Sequence, residues 1–262
     1  SSNKELLEAI RQSGIVGLGG AGFPAHAKLS PPPDKPVDTL IINGAECEPY
    51  ITSDYREIIE NSWNIIGGIN ILVELLKVKN VWIGIEDNKP EAIKVLTHLA
   101  EKIENVKVVK LKSRYPQGAE KMLIYSVTGR KVPPGKLPLD VGVIVMNVNS
   151  VSFVCEYIKT GMPLIKKRVT VDGSAVKNPS NVEVLIGTPL KDVFDFCGGF
   201  DCVVHKVLMG GPMMGIAQHS LEVPVMKYTN ALLAFGREEV KTGEEGPCIR
   251  CGRCVDACPM NL

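Results

Sequence analysis

Four of the eight cysteines lie close together near the end of the 262-residue chain. Cys248, Cys251, Cys254 and Cys258 follow the spacing C-x2-C-x2-C-x3-C, and Pro259 comes next. This spacing is typical of thiolate ligands to 4Fe-4S clusters. Zinc is the main alternative, but structural zinc usually binds two separated pairs of cysteines. The run therefore predicts an iron–sulfur cluster.

The same run raises the question of a second cluster. In two-cluster ferredoxins the fourth cysteine of such a run ligates the other cluster, and no second run occurs before Leu262. We therefore expect a second run in a longer protein, and a cluster that is incomplete or absent in this chain. Cys155, Cys197 and Cys202 are interpreted as core thiols, because small buried cysteines are common.

A glycine-rich loop is the second motif that could do chemistry. Gly17, Gly19 and Gly22 satisfy G-x-G-x-x-G, but a dinucleotide-binding loop of that kind follows a strand. Here an amphipathic, helix-like stretch, Lys4–Gln12, comes first. A loop without side-chain bulk can still bring backbone N–H groups against a flat or anionic ligand. An ordinary turn is the alternative.

Polar residues follow two of the predicted strands. Asn43–Pro49 (NGAECEP) follows the first strand, and Asn147 and Asn149 end a later one. Because the carboxyl ends of strands in an open α/β sheet form the edge where ligands bind, these residues are candidates for one site. Taken separately, each would be a surface loop in most proteins.

The elements that must position these residues alternate between Asp38 and about Val171. The predicted strands are Thr39–Asn43, Val81–Ile85, Val106–Leu111, Gly142–Asn147 and Lys167–Val171. The segments with helical apolar spacing are Ile58–Lys77, Pro90–Lys102, Ala119–Thr128 and Val151–Lys159. This alternation favours an α/β fold with a mostly parallel sheet covered on both faces. Shorter β-like pieces after Thr170 indicate a small second α+β domain.

Composition excludes several classes of partner. The 30 basic and 29 acidic residues leave a formal charge of +1, too little to hold a nucleic acid non-specifically. The apolar stretch Ile65–Leu76 contains Glu74 and is shorter than the roughly 20 residues of a membrane-spanning helix. We expect no nucleic acid and no direct membrane span. Cysteines spaced too tightly for separate disulfides favour a reducing, cytoplasmic compartment.

Several segments together resemble one known family. They are Gly17–Lys28 (GLGGAGFPAHAK), Asn43–Arg56 (NGAECEPYITSDYR), Tyr115–Pro133 (YPQGAEKMLIYSVTGRKVP), Met146–Ser150 (MNVNS) and the cysteine run. In order and over nearly the whole chain, they are similar to the C subunit of the Rnf complex. That protein is related to the flavin-binding, NADH-oxidising subunit of respiratory complex I. The chain starts Ser1-Ser2, without a Met, and we interpret it as a fragment.

The resemblance implies which residues contact FMN and NAD(H). The residues expected to line or complete the flavin site are Gly17, Gly19, Gly20, Lys28, Asn43, Glu46 and Asn147. Those expected on the nicotinamide side are Phe23, Glu48 and Glu120. The sequence departs from the complex I relative at three positions. Leu18 replaces an arginine, Ala45 an aspartate, and Ala119 the first of two adjacent glutamates.

The resemblance also implies an architecture and a function. We expect an FMN/NADH-binding domain at 1–165, a β-grasp domain of the soluble-ligand-binding (SLBB) type at 166–228, and a linker with a truncated 4Fe-4S ferredoxin-type segment at 229–262. The implied protein is a peripheral subunit on the cytoplasmic face of a bacterial membrane, which assembles with other subunits. It would pass electrons between NAD(H) and ferredoxin in an ion-translocating complex. The alternatives are a cobalamin reductase of the same superfamily and a non-catalytic docking module.

Other residues receive no chemical role. The four histidines are scattered without a shared spacing, and the segment Met209–Gly215 is interpreted as a tight turn with flexible apolar packing. Asp54 and Arg56 could orient the ligand loop or pair with each other on the surface. We favour the surface pair.

Overall fold

Two β-sheets organise the part of the chain that the computed structural model describes, residues 2–240, 243 and 246–258. The strands of the first sheet are β1 (Thr39–Gly44), β2 (Asn80–Glu86), β3 (Val106–Leu111) and β4 (Val143–Asn147). All of them run parallel, in the spatial order β3-β2-β1-β4. Strands β1 and β4 are buried along nearly their whole length, as a parallel sheet covered on both faces requires. The predicted α/β fold class is confirmed.

Helices cover both faces of this sheet. They are α1 (Asn3–Gln12), α2 (Ala25–Lys28), α3 (Ser53–Glu60), α4 (Ser62–Leu76), α5 (Pro90–Ala100), α6 (Glu120–Thr128) and α7 (Val148–Thr160), with a 3-10 helix at Pro138–Val141. Side chains alternate along β1, so Leu40 and Ile42 pack in the larger layer with α4, α5 and α7. Ile41 points to the opposite face and packs with α6.

The single helix predicted over Ile58–Lys77 is wrong, because the helix breaks at Asn61. Helix α3 ends at Glu60 and α4 begins at Ser62, with Asn61 in a non-helical conformation between them (φ −125°, ψ 29°). The Asn61 side chain donates to the Glu57 carboxylate at 3.0 Å. Asparagine side chains offer local hydrogen bonds that compete with the helix, and this break frees α3 to turn its N-terminus toward the end of β1.

The second sheet is mixed. Its strands are β5 (Lys166–Asp172), β6 (Ser180–Leu185), β7 (Lys206–Met209), β8 (Ile216–Gln218) and β9 (Ala231–Phe235), and helix α8 (Leu190–Phe196) lies between β6 and β7 in the chain. The spatial order is β6-β5-β9-β7-β8, with only β5 and β9 parallel. The expected domain end at 228 is therefore wrong. The fully buried run of β9 supplies the central strand, although its sequence pattern favours a linker.

The loop after β1 fills the junction between the two sheets. Ile51 packs in one apolar cluster with Leu208, Leu233 and Phe235 of the second sheet. The Tyr50 ring meets the Phe235 ring edge-on, at 5.3 Å between centroids. The second sheet is thereby attached to the segment that follows the carboxyl end of β1.

The last described element is the short helix α9 (Arg253–Ala257). It lies within the cysteine run, and Pro259 falls outside the described residues. None of the helices in the described ranges combines the length and hydropathy that crossing a bilayer demands.

Candidate functional site

The strand order creates a switch point between β1 and β4. The chain proceeds from β1 to β2 and β3 on one side, and then crosses to β4 on the other side of β1. Crevices at such points, outside the carboxyl ends of the strands, are where open α/β sheets bind ligands. Asn43 and Asn147 are register partners at the ends of these two strands. Two of the predicted site residues are thus neighbours at this crevice.

Asn147 is held in place from three directions. It caps α7, because its Oδ1 accepts from the Asn149 backbone N–H at 2.9 Å. Its Nδ2 donates to Asp54 at 2.8 Å. The glycine loop passes so close that a Cβ added to Gly19 would lie 2.8 Å from that same Nδ2. Only glycine fits here without displacing Asn147.

The glycine loop is closed by its own backbone. The Gly17 N–H donates to Phe23 O at 2.8 Å, and the Gly22 N–H donates to Gly17 O at 3.2 Å. Gly20 and Gly22 have positive φ angles of 112° and 67°, which favour glycine. Within the described residues, the backbone N–H groups of the exposed Gly19 and Gly20 have no acceptor. Two adjacent donors are therefore available to a ligand.

Lys28 brings a positive charge to the same place. Its Nζ donates to Glu120 Oε1 at 2.5 Å and to Val145 O, on β4, at 2.9 Å. An ammonium group has three N–H donors, so one remains. Asn43 completes the ring of contacts, because its Nδ2 donates to Gly118 O at 2.9 Å, just before Glu120. We call this assembly the glycine shelf: the loop 17–22 with Lys28, Asn43, Glu120 and Asn147.

A cavity of about 510 Å³ opens beside the shelf, at the carboxyl ends of β1, β2 and β3. We call it the strand-end cavity. Its lining includes Glu46, Cys47, Glu48, Tyr50, Lys89, Arg114 and Tyr115. Burial raises the pKa of the Cys47 thiol, whose sulfur accepts from the Gly118 N–H at 3.2 Å. Charged groups of both signs line the cavity together with three tyrosines, the third being Tyr55.

Glu46 and Glu48 line this cavity but also bind backbone groups. The Glu46 carboxylate accepts from the N–H groups of Asp54 and Tyr55, at 2.6 and 3.1 Å, and so holds the first turn of α3. Burial, and then the charge of Asp54, raise the pKa of Glu46 well above its ordinary value. Glu48 accepts from the N–H groups of Met213 and Met214, at 3.0 and 2.8 Å. The tight turn at 209–215, for which the sequence indicates no chemistry, is therefore a partner of a predicted site residue.

The predicted surface pair of Asp54 and Arg56 is wrong. Arg56 pairs with Glu60, whereas Asp54 is buried, with 8% of its surface exposed. Asp54 accepts from the side-chain amides of Asn147 and Asn149, at 2.8 and 2.5 Å. Burial raises its pKa to about 6. A D-x-R sequence on a helix carries no sign of this, because the asparagines that bury it come some 90 positions later.

A second cavity, of about 410 Å³, lies between the two domains. We call it the interdomain cavity. It is lined by Ser53 and Asn149 from the first domain and by Lys167 and Arg168 from β5. Arg168 pairs with Glu60 at 2.7 Å. Lys167 is 6% exposed, and burial lowers its pKa to about 7.

The remaining residues that the sequence analysis singled out differ in their burial. Phe23 lies at the end of the glycine loop with its side chain mostly exposed. Leu18, which stands at the arginine position, is a buried core residue, and its N–H donates to Ser150 Oγ at 2.9 Å. Cys197 is buried as predicted, but Cys202 is exposed, which corrects its interpretation as a core thiol.

The thiols of the cysteine run do not converge in this structure. Cys248, Cys251 and Cys254 are exposed, and Cys258 is half-buried. No group of three or more Cys, His, Asp or Glu side chains within the described ranges is arranged to hold a metal ion. The ligation of a 4Fe-4S cluster by these cysteines stays a prediction.

Comparison with curated proteins gives two close relatives. The chain is 51% identical, over 100% of its length, to the C subunit of the proton-translocating ferredoxin:NAD(+) oxidoreductase complex of Clostridium ljungdahlii. It is 45% identical, over 98% of its length, to the C subunit of the Na(+)-translocating ferredoxin:NAD(+) oxidoreductase complex of Acetobacterium woodii. It spans 57% and 58% of these relatives. The resemblance to the C subunit of the Rnf complex is confirmed.

Solved structures and family models agree on the fold. Crystal structures of an NAD+-reducing [NiFe]-hydrogenase match 89% and 90% of the chain with TM-scores of 0.71 and 0.75, at 20% identity and over 47% of the hydrogenase chain. A model described as the SLBB domain matches residues 168–217. The model described as the Nuo51 FMN-binding domain matches residues 10–156, more than half of the chain, and includes the entire glycine shelf. The chain therefore belongs to the Nuo51 FMN-binding domain family, with an SLBB domain following the FMN-binding domain.

Proposed function

We propose that this chain is the FMN-binding part of a peripheral subunit that passes electrons between NAD(H) and ferredoxin in an ion-translocating complex. The observation that carries the proposal is the glycine shelf at the switch point of the sheet, inside the segment matched by the FMN-binding model. The names of the two relatives supply the redox partners and the coupling to ion transport. The cytoplasmic face of a membrane is the location that such a subunit would occupy.

The residues of the shelf fit the phosphate of FMN. Gly19 and Gly20 offer backbone N–H groups without acceptors in the described part of the chain, and Lys28 offers a positive charge with one N–H to spare. Adjacent N–H groups in a glycine loop form a concavity that binds anions. Asn43 and Asn147 fix the two strand ends beneath it. We assign Gly17, Gly19, Gly20, Lys28, Asn43 and Asn147 to FMN.

The strand-end cavity is the proposed place for the reacting rings. When bound, FMN would take two electrons together from NADH and release them singly. The chain's own residues orient the two ligands and limit water around them. Tyr115 and Glu48 line the cavity, Phe23 is exposed at the shelf's edge, and Glu120 is held against Lys28. We assign Phe23, Glu48 and Glu120 to the NADH side and Glu46 to the flavin side.

The cysteine run enters the proposal through its spacing alone, because its thiols do not converge in the described residues. We propose that Cys248, Cys251, Cys254 and Cys258 ligate 4Fe-4S clusters in the longer protein. Its assembly partners would be the other subunits of the complex, and ferredoxin would be its redox partner.

The proposal is tested by adding FMN to the purified chain without oxygen. We expect stoichiometric FMN uptake, measured by quenching of flavin fluorescence, and bleaching of the bound flavin's visible band on addition of NADH. NADPH, added separately, measures the preference between the two nucleotides.

Two outcomes would contradict the proposal. A chain that takes up no FMN would support a docking module. A chain that binds FMN but is not bleached by NADH would remove the NAD(H) assignment. Acceptor assays on the longer protein then separate ferredoxin from a corrinoid, the substrate of a cobalamin reductase.

A further inference from the structure

Asp54 is a buried carboxylate that binds no ligand directly in the proposed function. It lies in the first turn of α3 and accepts hydrogen bonds from Asn147 Nδ2 and Asn149 Nδ2, at 2.8 and 2.5 Å. Asn147 is the residue against which Gly19 packs. Asp54 thus sets the orientation of the side chain that supports the glycine loop from below.

The second domain supplies a positive charge to this carboxylate. Lys167, on β5, lines the interdomain cavity together with Ser53 and Asn149, the neighbours of Asp54. Two nearby contacts fix β5 and β6 against Thr52, the N-cap of α3: the Thr52 N–H donates to Thr170 Oγ1 of β5 at 3.1 Å, and Asn181 of β6 donates to Thr52 Oγ1 at 2.8 Å. The Lys167 ammonium donates to Lys227 O at 2.9 Å. It is buried, and a positive charge in this cavity, beside Asn149 and Ser53, favours the ionised form of Asp54 and so lowers its pKa.

We propose that Asp54 is the positioning residue of the glycine shelf, and that Lys167, contributed by the SLBB domain, keeps Asp54 ionised so that it can hold Asn147. This inference rests on the proposed binding of FMN at the shelf. It assigns the SLBB domain a role in the flavin site through one buried lysine.

The chemistry of the carboxyl group gives the direction of the effect. An ionised carboxylate can accept from both asparagine amides, but a protonated one carries an O–H donor. The oxygen that takes the proton then accepts more weakly from its asparagine amide. Because the pKa of Asp54 is about 6, the shelf is ordered above this pH and loosens below it.

Other charged groups around Asp54 act on the same equilibrium. Lys89, from the loop after β2, and Lys167 both favour the ionised form. Glu46, from the loop after β1, is itself driven toward its protonated form by burial and by Asp54. Glu57, one turn further along α3, is engaged by Ser152 and Arg168. Lys167 is the contribution that comes from the second domain.

The first test needs no flavin. In the FMN-free chain, the side-chain NH₂ resonances of Asn147 and Asn149 are followed by ¹H–¹⁵N NMR as the pH is lowered. We expect both to shift with a common midpoint near 6. Asp54→Asn should abolish the step near pH 6 and leave only a shift near pH 7, where the nearby Lys167 titrates, whereas Asp201→Asn, at an exposed residue, should leave the step near 6 intact.

The lysine variants separate a charge effect from a packing effect. Lys167→Met removes the charge but keeps most of the apolar stem, so the midpoint should rise by about half a pH unit or more. Lys166→Met is the matched control, because Lys166 is the preceding residue on β5 and pairs with Glu183 at 2.8 Å. The control should leave the midpoint unchanged. An unchanged midpoint in Lys167→Met would overturn the role of the second domain.

The second test measures FMN affinity from pH 8 to pH 5. FMN phosphate titrates in this range as well, so each variant is compared with the unmodified chain at the same pH. At pH 8, Asp54→Asn should bind FMN about tenfold more weakly, with Asp201→Asn unaffected. If the chain binds no FMN at all, the proposed function fails, and the NMR titration still decides the Asp54 network. If FMN binds equally well to Asp54→Asn, the positioning role is wrong.

Discussion

The two sheets of this protein differ in the side chains at their edges. At the carboxyl edge of the parallel sheet, polar side chains such as Asn43, Asn147 and Asp54 hydrogen-bond to one another and to the backbone. At the edge of the second sheet, apolar side chains such as Met214 and Ile216 are exposed, with 76% and 65% of their surfaces accessible. In a parallel sheet every strand ends at the same edge, so its loops meet there. The antiparallel pairs of the mixed sheet distribute their ends over two edges.

This difference explains why the residues proposed to bind FMN and NAD(H) all lie in the first domain. The second domain contributes backbone amides to Glu48, a lysine near Asp54, and an apolar face to Ile51. It contacts the loops of the first domain that carry the proposed site residues, and it contributes no residue to the glycine shelf itself. Changes inside its own core should therefore affect folding, and changes on its surface away from these contacts should alter stability little.

The largest expected effect is on the free energy of unfolding, and two phenylalanines of α8 show it by contrast. Phe194 is fully buried and packs on Phe200 at 5.0 Å between ring centroids, whereas Phe196 is 81% exposed. Phe194→Ala should lower the free energy of unfolding by about 3–5 kcal/mol. Phe196→Ala should change it by less than about 0.5 kcal/mol. Urea unfolding measures both, and similar losses in the two variants would contradict the burial that separates them.

A valine at Gly19 should have the next largest effect, on FMN affinity. Its Cβ would lie 2.8 Å from Asn147 Nδ2, and Asn147 cannot retreat because Asp54 and the Asn149 N–H hold it. Overpacking of this kind costs about 1–3 kcal/mol, so we expect FMN binding to weaken up to about 100-fold. The control is Gly246→Val, since a Cβ at Gly246 would meet nothing within 4 Å. Flavin fluorescence titration compares the two, and equal affinities would contradict the role of the loop.

The parallel sheet was predictable because its signals are local. Strands β1, β2 and β4 each contain a short apolar run, and the asparagines and glutamates proposed for the site follow the carboxyl ends of β1 and β4. Strand β9 was not predictable, because a five-residue apolar run between turn residues has no period that distinguishes it. Its role depends on pairing with β5, some 60 residues earlier.

The sequence indicated the residues of the glycine shelf but not the hydrogen bonds that hold them in place. Glycine spacing and the asparagines at strand ends indicated a ligand site, and the family resemblance supplied the flavin. The role of Asp54 was not predictable, because its partners, Asn147 and Asn149, are distant in sequence. The link from Glu48 to the turn at Met213 escapes prediction for the same reason. Buried polar contacts between domains leave no local pattern in either segment.

Removing the charge of Lys28 should weaken FMN binding by about tenfold, because a charge-assisted contact to phosphate is lost. Lys28→Met also leaves Glu120 without its partner, and an unpaired carboxylate near the phosphate adds repulsion. Lys35→Met is the matched control, since Lys35 is a half-buried lysine outside the shelf that pairs with Asp140 at 2.8 Å. Salt titration of FMN affinity should show a weaker salt dependence for Lys28→Met only. An equal loss in both variants would point to a general charge effect.

The smallest expected effect tests the contact that joins the two regions. Glu48→Gln keeps the size of the side chain but replaces a carboxylate that accepts from the N–H groups of Met213 and Met214. Glutamine has one oxygen and an NH₂ group that only donates, so one of the two N–H groups loses its acceptor and the other is bound more weakly. These two amides should therefore exchange with solvent up to about tenfold faster. The Lys177 N–H, which donates to Gly199 O at 3.1 Å elsewhere in the second domain, should keep its exchange rate. Unchanged exchange at Met213 and Met214 would mean that the turn holds its shape without the first domain, and that Glu48 serves the strand-end cavity alone.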